Sequence, residues 1–408
     1  MIDPLFPPQP KHKIITLYPF KTKLDIPLLI KSIFSNQNYQ KLFIDIIWEY
    51  LPTLKGELFF MNKGRFCLHH YLIWKKQSLN RTIKIALPAF GCHHLCSEIV
   101  MAGAQPVFLD IDESYGISIK SVNFAKKQNV DIILWPNLFG PRERAKEVIS
   151  HIEELAIEII FDEAQSFPSG VLSDKYISLL SFGNSKRLQG IGGGAIYFPE
   201  YRIEPEFEKY IKNLKLKMSA NYKINQIKET VKNNLLAGEL SKLFPTIPSL
   251  EKKLPTLLEK QTKNLKLSDI YGMNELMYIV CYERVKMLKT NRECLSFFYK
   301  NLQRSVVSKF GENSINILKQ ITDIPTIFAL SLPFDQRYNI SQELANIGIQ
   351  TTWYYYPLNK IKAFSKYPSE NITNTEKLSS EILIIPFGLG NIIYQKKAYE
   401  MILRQKFL

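Results

Sequence analysis

The chain has 408 residues, more than is usual for one domain, so two lobes are expected. Apolar residues make up 46% of it and aromatic residues 12%, which is enough for a substantial core and excludes large-scale disorder. The net charge of +15 is compatible with nucleic-acid or anionic-membrane binding, but a surplus of solvated lysines explains it more simply, and we expect no nucleic-acid partner.

The first part of the chain predicts a regular α/β pattern after an irregular start. Residues 1–55 are short mixed segments with scattered prolines and one short predicted helix at 28–34. From residue 83, short apolar runs alternate with helical stretches. In chain order these are a strand at 83–87, a helix at 92–102 ended by Gly103, a strand at 107–109, a helix at 117–127, a strand at 132–135, a helix at 142–155 and a strand at 158–161. This alternation is typical of βαβ units and a largely parallel sheet.

Polar and proline residues follow several of these strands. Pro88-Ala89-Phe90, Asn137 and Asp162 each stand at or just after a strand end. Since ligands of parallel sheets bind beyond the carboxyl ends of the strands, we expect these residues to converge on one site.

The second part of the chain changes character twice. Strands predicted at 177–182 and 195–198 flank a glycine-rich stretch. Residues 201–268 then hold fourteen Lys or Arg against seven Glu and predict an inserted basic helical element, either a solvated surface feature or a lid, partner or membrane contact. A helix near 273–303 leads into a smaller α/β lobe. The predicted divisions are 1–55 as an N-terminal segment, 56–200 as the large domain, 201–268 as the insertion and 269–408 as the connecting helix and small domain.

That smaller lobe has three strand candidates, at 326–332, 350–355 and 381–385.

Targeting signals and metal motifs are not evident. No run of about 18 uncharged apolar residues occurs, so no membrane span is expected, and the N-terminus does not resemble a signal peptide. Cys92 and Cys96 flank two histidines, but no second cluster with zinc-ligand spacing follows. We expect free thiols in the cytoplasm and no bound metal.

Two motifs together indicate a pyridoxal-phosphate site. That cofactor needs a lysine for an imine, a carboxylate for its ring nitrogen, and hydroxyl and amide groups for its phosphate. Asp162 ends a predicted strand, and Ser181 precedes Lys186 by five residues, just before the glycines of 190–194. Those glycines allow the backbone to approach a ligand closely.

The ordered motifs resemble the DegT/StrS family of fold-type I pyridoxal-phosphate enzymes, best known as nucleotide-sugar aminotransferases. The matching segments are 62–66, which is similar to the family's phosphate loop, followed by 87–90, 102–112, 162–165, 180–186, 190–193 and 348–358. The resemblance implies a large domain with a mostly parallel seven-stranded sheet and a smaller C-terminal α/β domain. It also implies a homodimer.

The resemblance assigns roles to particular residues. It makes Lys186 the imine lysine and general acid/base, and Asp162 the partner of the pyridine nitrogen. Gln165 is then expected near the ring oxygen, and Ser181 at the phosphate. The backbone of Gly64 and Arg65 is expected at the phosphate as well.

The chain departs from the family pattern around the ring. The family's ring-covering aromatic aligns with Cys92, and His93 or Phe90 are candidate substitutes. The family's lobe-end histidine is replaced by Tyr354.

A second departure concerns the family motif that reaches the phosphate across the dimer. Its asparagine and arginine are replaced by Ile270 and Gly272, with Arg65 or Lys266 as possible compensation. Together the departures identify a divergent member with an unusual substrate or reaction.

Three functions are compatible with these residues. The first is an aminotransferase that moves an amino group from a small-molecule donor, most often glutamate in the family, to a keto acceptor such as a nucleotide-linked keto sugar. The second is another pyridoxal-phosphate reaction, namely decarboxylation, elimination or aldol-type cleavage. The third is a non-catalytic regulatory or complex subunit, which the lost phosphate contacts favour and the paired Asp162 and Lys186 disfavour.

Overall fold

The computed structural model describes residues 37–51, 55–168, 173–214, 272–346, 349–385 and 387. The short helix predicted at 28–34, and the insertion beyond residue 214, lie outside these residues. The predicted domain boundaries stay predictions.

A seven-stranded sheet forms the centre of the large domain. Its strands are β1 (Gly56–Met61), β2 (Lys84–Pro88), β3 (Gln105–Leu109), β4 (Ile132–Pro136), β5 (Glu158–Asp162), β6 (Ile177–Ser181) and β7 (Gly194–Pro199). The spatial order is β1-β7-β6-β5-β4-β2-β3. β7 is antiparallel to β1 and β6, and the other pairs are parallel, which confirms the predicted fold class.

Six of the seven strands match predicted strands, whereas β1 had not been located. Most residues of β1 are only half-buried. Its apolar run, residues 58–61, is only four residues long and does not alternate with polar residues, so the pattern alone does not distinguish it from a buried piece of helix.

Helices cover both faces of this sheet, because successive strand residues point to opposite sides. The helices are α1 (Tyr39–Tyr50), α2 (Gly64–Leu79), α3 (His93–Met101), α4 (Ile119–Lys127), α5 (Lys146–Glu154) and α6 (Pro205–Asn213). Within β2, Ile85 joins the hydrophobic cluster under α2 and α3, and its neighbour Ala86 joins the cluster under α4 and α5. The predicted stop of α3 is confirmed, with Gly103 at a φ of 75°.

The C-terminal lobe has its own apolar cluster and a two-stranded antiparallel sheet. Its elements are α7 (Glu275–Thr290), α8 (Arg292–Phe310), α9 (Asn316–Lys319), β8 (Phe328–Ser331), α10 (Phe334–Asn346), α11 (Thr373–Glu381) and β9 (Ile382–Ile385). None of the described helices is long and apolar enough to cross a membrane.

Two predictions for this lobe were wrong. The helix predicted at 273–303 is two helices, because Asn291 leaves the helical conformation and its side-chain amide donates to the Met287 carbonyl at 2.9 Å. The strand predicted at 350–355 is not formed; only Thr352 makes an isolated bridge, to Ile384. The residues after Thr352 turn towards the large domain, where the Tyr355 hydroxyl accepts a hydrogen bond from Gln165.

Candidate active site

A pocket lies at the carboxyl ends of β2, β4 and β5, where parallel sheets bind their ligands. Its lining residues are Leu87, Pro88, Gly91, Cys92, Leu95, Leu134, Pro136, Asn137, Leu138, Asp162, Ala164, Gln165, Lys186 and Tyr355. Of the residues expected to converge on one site, Pro88, Asn137 and Asp162 line this pocket, whereas Ala89 and Phe90 do not.

The lining contains four of the seven residues predicted for the cofactor site. They are Cys92, Asp162, Gln165 and Lys186. The other three, Gly64, Arg65 and Ser181, are not in the lining and lie at the start of α2 and the end of β6.

Asp162 presents a half-buried carboxylate at the end of β5. Its Oδ1 accepts a hydrogen bond from the Ala164 amide N–H at 3.0 Å. Burial raises the pKa of this carboxyl, and the Lys186 ammonium acts in the opposite direction. The charged form of such a carboxyl is stabilised most when a second cation enters the pocket. A protonated ring nitrogen would be such a cation.

Lys186 lies in a turn of the loop between β6 and β7. Its N–H donates to the Gly183 carbonyl at 3.0 Å, and its carbonyl accepts from the Gln189 N–H at 2.9 Å. The next residue, Arg187, donates to the Ile324 carbonyl and pairs with Asp323 at 2.7 Å. The lysine loop is thus fixed to the C-terminal lobe.

Gln165 has both ends of its side-chain amide engaged. Its Oε1 accepts from the Phe139 N–H at 2.6 Å, and its Nε2 donates to the Tyr355 hydroxyl at 2.8 Å. Tyr355 had not been predicted as a site residue. The sequence signal that could have identified Tyr355 is its place in the 348–358 motif. Through Tyr355 the C-terminal lobe contributes a side chain to the pocket.

Asn137 is oriented by a buried ion pair behind the pocket. Its Nδ2 donates to Glu163 Oε2 at 2.9 Å, and the same carboxylate pairs with Arg144 at 2.5 Å. The Arg144 guanidinium lies 3.7 Å from the centre of the Phe161 ring. Neither Glu163 nor Arg144 had been singled out in the sequence, where each resembles an ordinary surface charge.

The face of the pocket next to Cys92 is aliphatic. Leu95 lies beside Cys92 in the lining, whereas Phe90 and His93 do not line the pocket. Phe90 is buried and meets the Tyr355 ring edge-on, with centroids 5.6 Å apart, and His93 packs on His94 at 4.1 Å. Neither proposed substitute for the ring-covering aromatic therefore reaches the pocket.

The start of α2 forms a close-packed backbone cradle against β6. A Cβ at Gly64 would lie 2.3 Å from the Leu180 carbonyl oxygen and 3.2 Å from the Ser181 Cβ. Only glycine allows this approach, which leaves the amide groups of the helix N-terminus beside the Ser181 side chain. This is the grouping predicted for a phosphate.

Cationic side chains surround this cradle. Arg65 donates its Nε to the buried Glu98 at 3.2 Å. Burial, the neighbouring His93 and the charges of Arg65, Lys63 and Lys186 together lower the pKa of His94 to about 2. The imidazole is therefore neutral, and three positive side chains lie close enough to His94 to act on it.

The segment before α7 reaches the glycine-rich loop. A Cβ at Gly193 would lie 2.7 Å from the Met273 methyl group. Residues 266 and 270, which figure in the predicted departure from the family motif, lie outside the described residues.

These residues fit pyridoxal phosphate. A lysine and a carboxylate share one pocket, and the glycine cradle with its hydroxyl and cations lies next to it. The fit rests on the chemistry of the donors and on the close backbone approach at Gly64 that only glycine allows.

Comparison with known proteins agrees with this assignment. The model of the DegT/DnrJ/EryC1/StrS aminotransferase family matches residues 77–390. No curated protein matches the sequence.

Solved structures share the fold at low sequence identity. A DegT DnrJ EryC1 StrS aminotransferase from Brucella abortus is 17% identical with a TM-score of 0.63, covering 92% of each chain. Helicobacter pylori PseC, an aminotransferase involved in the biosynthesis of pseudoaminic acid, is 13% identical with a TM-score of 0.68, covering 96% of this chain and 99% of that one. DesI, solved in the presence of its TDP-sugar product, is 13% identical with a TM-score of 0.67, covering 98% of this chain and 95% of that one.

The family match spans most of the chain and includes the strand ends, Lys186 and Tyr355 that form the pocket. The chain therefore belongs to the DegT/DnrJ/EryC1/StrS aminotransferase family, as a pyridoxal-phosphate-dependent aminotransferase.

Proposed function

We propose that the protein transfers an amino group from glutamate to the keto group of a nucleotide-linked sugar, with Lys186 as the lysine that holds the cofactor. The observation that carries the proposal is the placement of Asp162 and Lys186 in one pocket. When bound there, pyridoxal phosphate supplies an electron sink for the carbon that gains or loses a proton.

The chain's own residues divide the remaining work. The Asp162 carboxylate holds a proton at the ring nitrogen, and the Lys186 amine takes up and returns the proton of the reacting carbon. The backbone at Gly64 and Arg65, with the Ser181 hydroxyl, would hold the phosphate. Cys92 and Leu95 would contact the ring face.

The nucleotide-sugar acceptor is supported by charge and by the relatives. The positive groups Lys63 and Arg65 next to the pocket favour a substrate that carries phosphate. DesI was solved with a TDP-sugar product, and it has this chain's fold. The five free thiols among the described residues fit a reducing compartment, and we place the enzyme in the cytoplasm.

The cofactor attachment is tested by absorption and reduction. The purified protein is expected to show the visible band of a lysine-bound cofactor, and borohydride reduction followed by peptide mapping is expected to find the cofactor on Lys186. Lys186→Ala is the control that should lose the fixed label. A colourless protein that takes up no added cofactor would contradict the proposal.

The reaction is tested with donors and acceptors separately. Glutamate is expected to bleach the visible band, and a nucleotide-linked keto sugar is expected to restore it. A band that no amino donor changes would point to another pyridoxal-phosphate reaction, and restoration by simple keto acids alone would exclude the sugar acceptor.

A further inference from the structure

The Gln165–Tyr355 hydrogen bond has a defined direction. The Phe139 backbone N–H can only donate, so it fixes the oxygen end of the Gln165 amide on its own side. The nitrogen end then faces Tyr355 and donates to its hydroxyl at 2.8 Å. The tyrosine oxygen is therefore an acceptor in this bond, and its own hydrogen remains to be donated elsewhere.

That hydrogen has no acceptor among the described residues, although Tyr355 is held firmly. Its ring packs edge-on against Phe90, and its backbone carbonyl accepts from the Ser379 hydroxyl at 2.8 Å. The residue lines the same pocket as Lys186 and Asp162. A fixed hydroxyl that lines a ligand pocket and has no protein acceptor for its hydrogen can donate a hydrogen bond to an oxygen of the ligand.

The hydroxyl stays protonated under working conditions. Burial raises the pKa of Tyr355 well above its ordinary value, and the neighbouring Cys92, Tyr354 and Asp162 raise it further, while the bond from Gln165 acts in the opposite direction. Tyr355 is thus a donor rather than a tyrosinate.

We propose that Tyr355, oriented by Gln165, donates a hydrogen bond to the phenolic oxygen of the bound cofactor. In bound pyridoxal phosphate this oxygen would be on the ring carbon next to the one that bears the aldehyde carbon, to which the Lys186 nitrogen would attach. Gln165, predicted to contact this oxygen itself, becomes the positioning residue, since one of its two amide hydrogens is given to the Tyr355 hydroxyl and orients it.

The inference rests on the proposed attachment to Lys186 and has a spectroscopic consequence. A donor at the phenolic oxygen stabilises its negative charge and so favours loss of the proton that this oxygen shares with the Lys186 nitrogen. Tyr355→Phe is expected to raise the pH midpoint of the cofactor's visible absorption change by about one unit. Gln165→Met keeps the Tyr355 hydroxyl but removes the hydrogen bond that orients it. This variant is expected to raise the midpoint by a smaller amount.

Tyr354→Phe is the matched control. Tyr354 is the adjacent, half-buried tyrosine; its hydroxyl makes a hydrogen bond with the Thr352 side chain, and it does not line the pocket. Its midpoint is expected to equal that of the wild type. Thermal melts of all four proteins show which variants fold, and Gln165→Met carries the test if Tyr355→Phe does not.

The outcomes separate the two proposals. A wild-type protein without a cofactor band would overturn the proposed function and the inference together. A wild-type band with an unshifted midpoint in both pocket variants would overturn the inference alone. An unshifted midpoint with a raised KM for the amino donor would assign the Tyr355 hydroxyl to the substrate, which also overturns it.

Discussion

Single residues of the pocket are arranged for chemistry at some cost to the stability of the empty protein. Asp162 shows this most clearly, because burial raises the pKa of a carboxyl that the mechanism needs in its charged form. A carboxyl with a raised pKa in the folded state stabilises the fold below its unfolded pKa, and this contribution is lost as the pH rises through the folded value.

Asp162→Asn is therefore expected to separate stability from activity. The asparagine keeps an oxygen for the Ala164 N–H but carries no charge, so the cofactor-free variant should melt about 2 °C higher at neutral pH. Transfer of the amino group should fall about a hundredfold or more, since the ring nitrogen loses its counter-ion. Calorimetry and steady-state rates measure the two effects.

The pH dependence provides the control for Asp162→Asn. The gain in melting temperature should disappear as the pH falls through the carboxyl's folded pKa, because the wild-type side chain then becomes neutral too. A gain that is constant over pH, or a fully active variant, would contradict the assignment of Asp162.

Gly64→Ala tests the cradle at the start of α2. Its Cβ would meet the Leu180 carbonyl oxygen at 2.3 Å, a backbone atom that cannot rotate away. The free energy of unfolding is expected to drop by about 1–3 kcal/mol, and the cofactor should bind more weakly because α2 is pushed away from Ser181. Gly272→Ala is the matched control, since none of the described residues lies within 4 Å of its Cβ. Equal melting curves for the two variants would argue against the cradle.

The sequence located the reacting residues better than the groups that orient them. Asp162 and Lys186 were predicted because each lies in a recognisable motif at or after a predicted strand. The structure brings both to the pocket. Tyr355 and Glu163 were not, because their roles come from contacts with residues distant in the chain, Gln165 and Arg144. Such contacts leave no periodic signal in a single sequence.

Among the elements, the loop that carries Lys186 depends on an ion pair with the other lobe. Arg187 is nearly buried and pairs with Asp323, which also accepts from Arg292 at 2.9 Å. Asp323→Asn is expected to lower the free energy of unfolding by about 3 kcal/mol, because it leaves the Arg187 charge buried without a counter-ion. Denaturant unfolding measures this loss.

Arg292→Ala separates the buried part of this network from its exposed part. The Arg292 side chain is 66% exposed, so its loss should cost less than about 1 kcal/mol. Borohydride labelling of Lys186 should become slower in Asp323→Asn and stay unchanged in Arg292→Ala. The opposite order of effects would show that the loop is held by other contacts.

The same distinction holds for the predicted helices and strands: those with a strong local pattern were predicted, and those without one were missed. The βαβ elements from β2 to β5 were found because their apolar runs are strong and regular. β1 and the break at Asn291 were not, because a half-buried edge strand and a side-chain-to-backbone bond barely change the hydrophobic pattern. The pattern predicted six of the strands in this sheet, and the expected total of seven came from the resemblance to the family.

For the whole molecule, the sequence positions expected to contact the phosphate across a dimer bear on assembly. Lys186, Asp162, Gln165 and Tyr355 line one pocket, with Tyr355 coming from the C-terminal lobe. The sequence resemblance aligns Ile270 and Gly272 with the asparagine and arginine that are expected to reach the phosphate across a dimer. The dependence of cofactor binding on the second subunit should thus be weaker than the family pattern implies.

We expect the protein to be a homodimer whose subunits keep the cofactor when they separate. Light scattering should give about twice the chain mass of 47.4 kDa, and dilution or mild denaturant that yields monomers should leave the visible cofactor band in place, because Lys186 and its partners come from one chain. Arg65→Met is the informative variant, since it removes the guanidinium next to the cradle, and its cofactor should dissociate faster in both assembly states. A band that vanishes together with the dimer in the wild type would show that the second subunit completes the site after all.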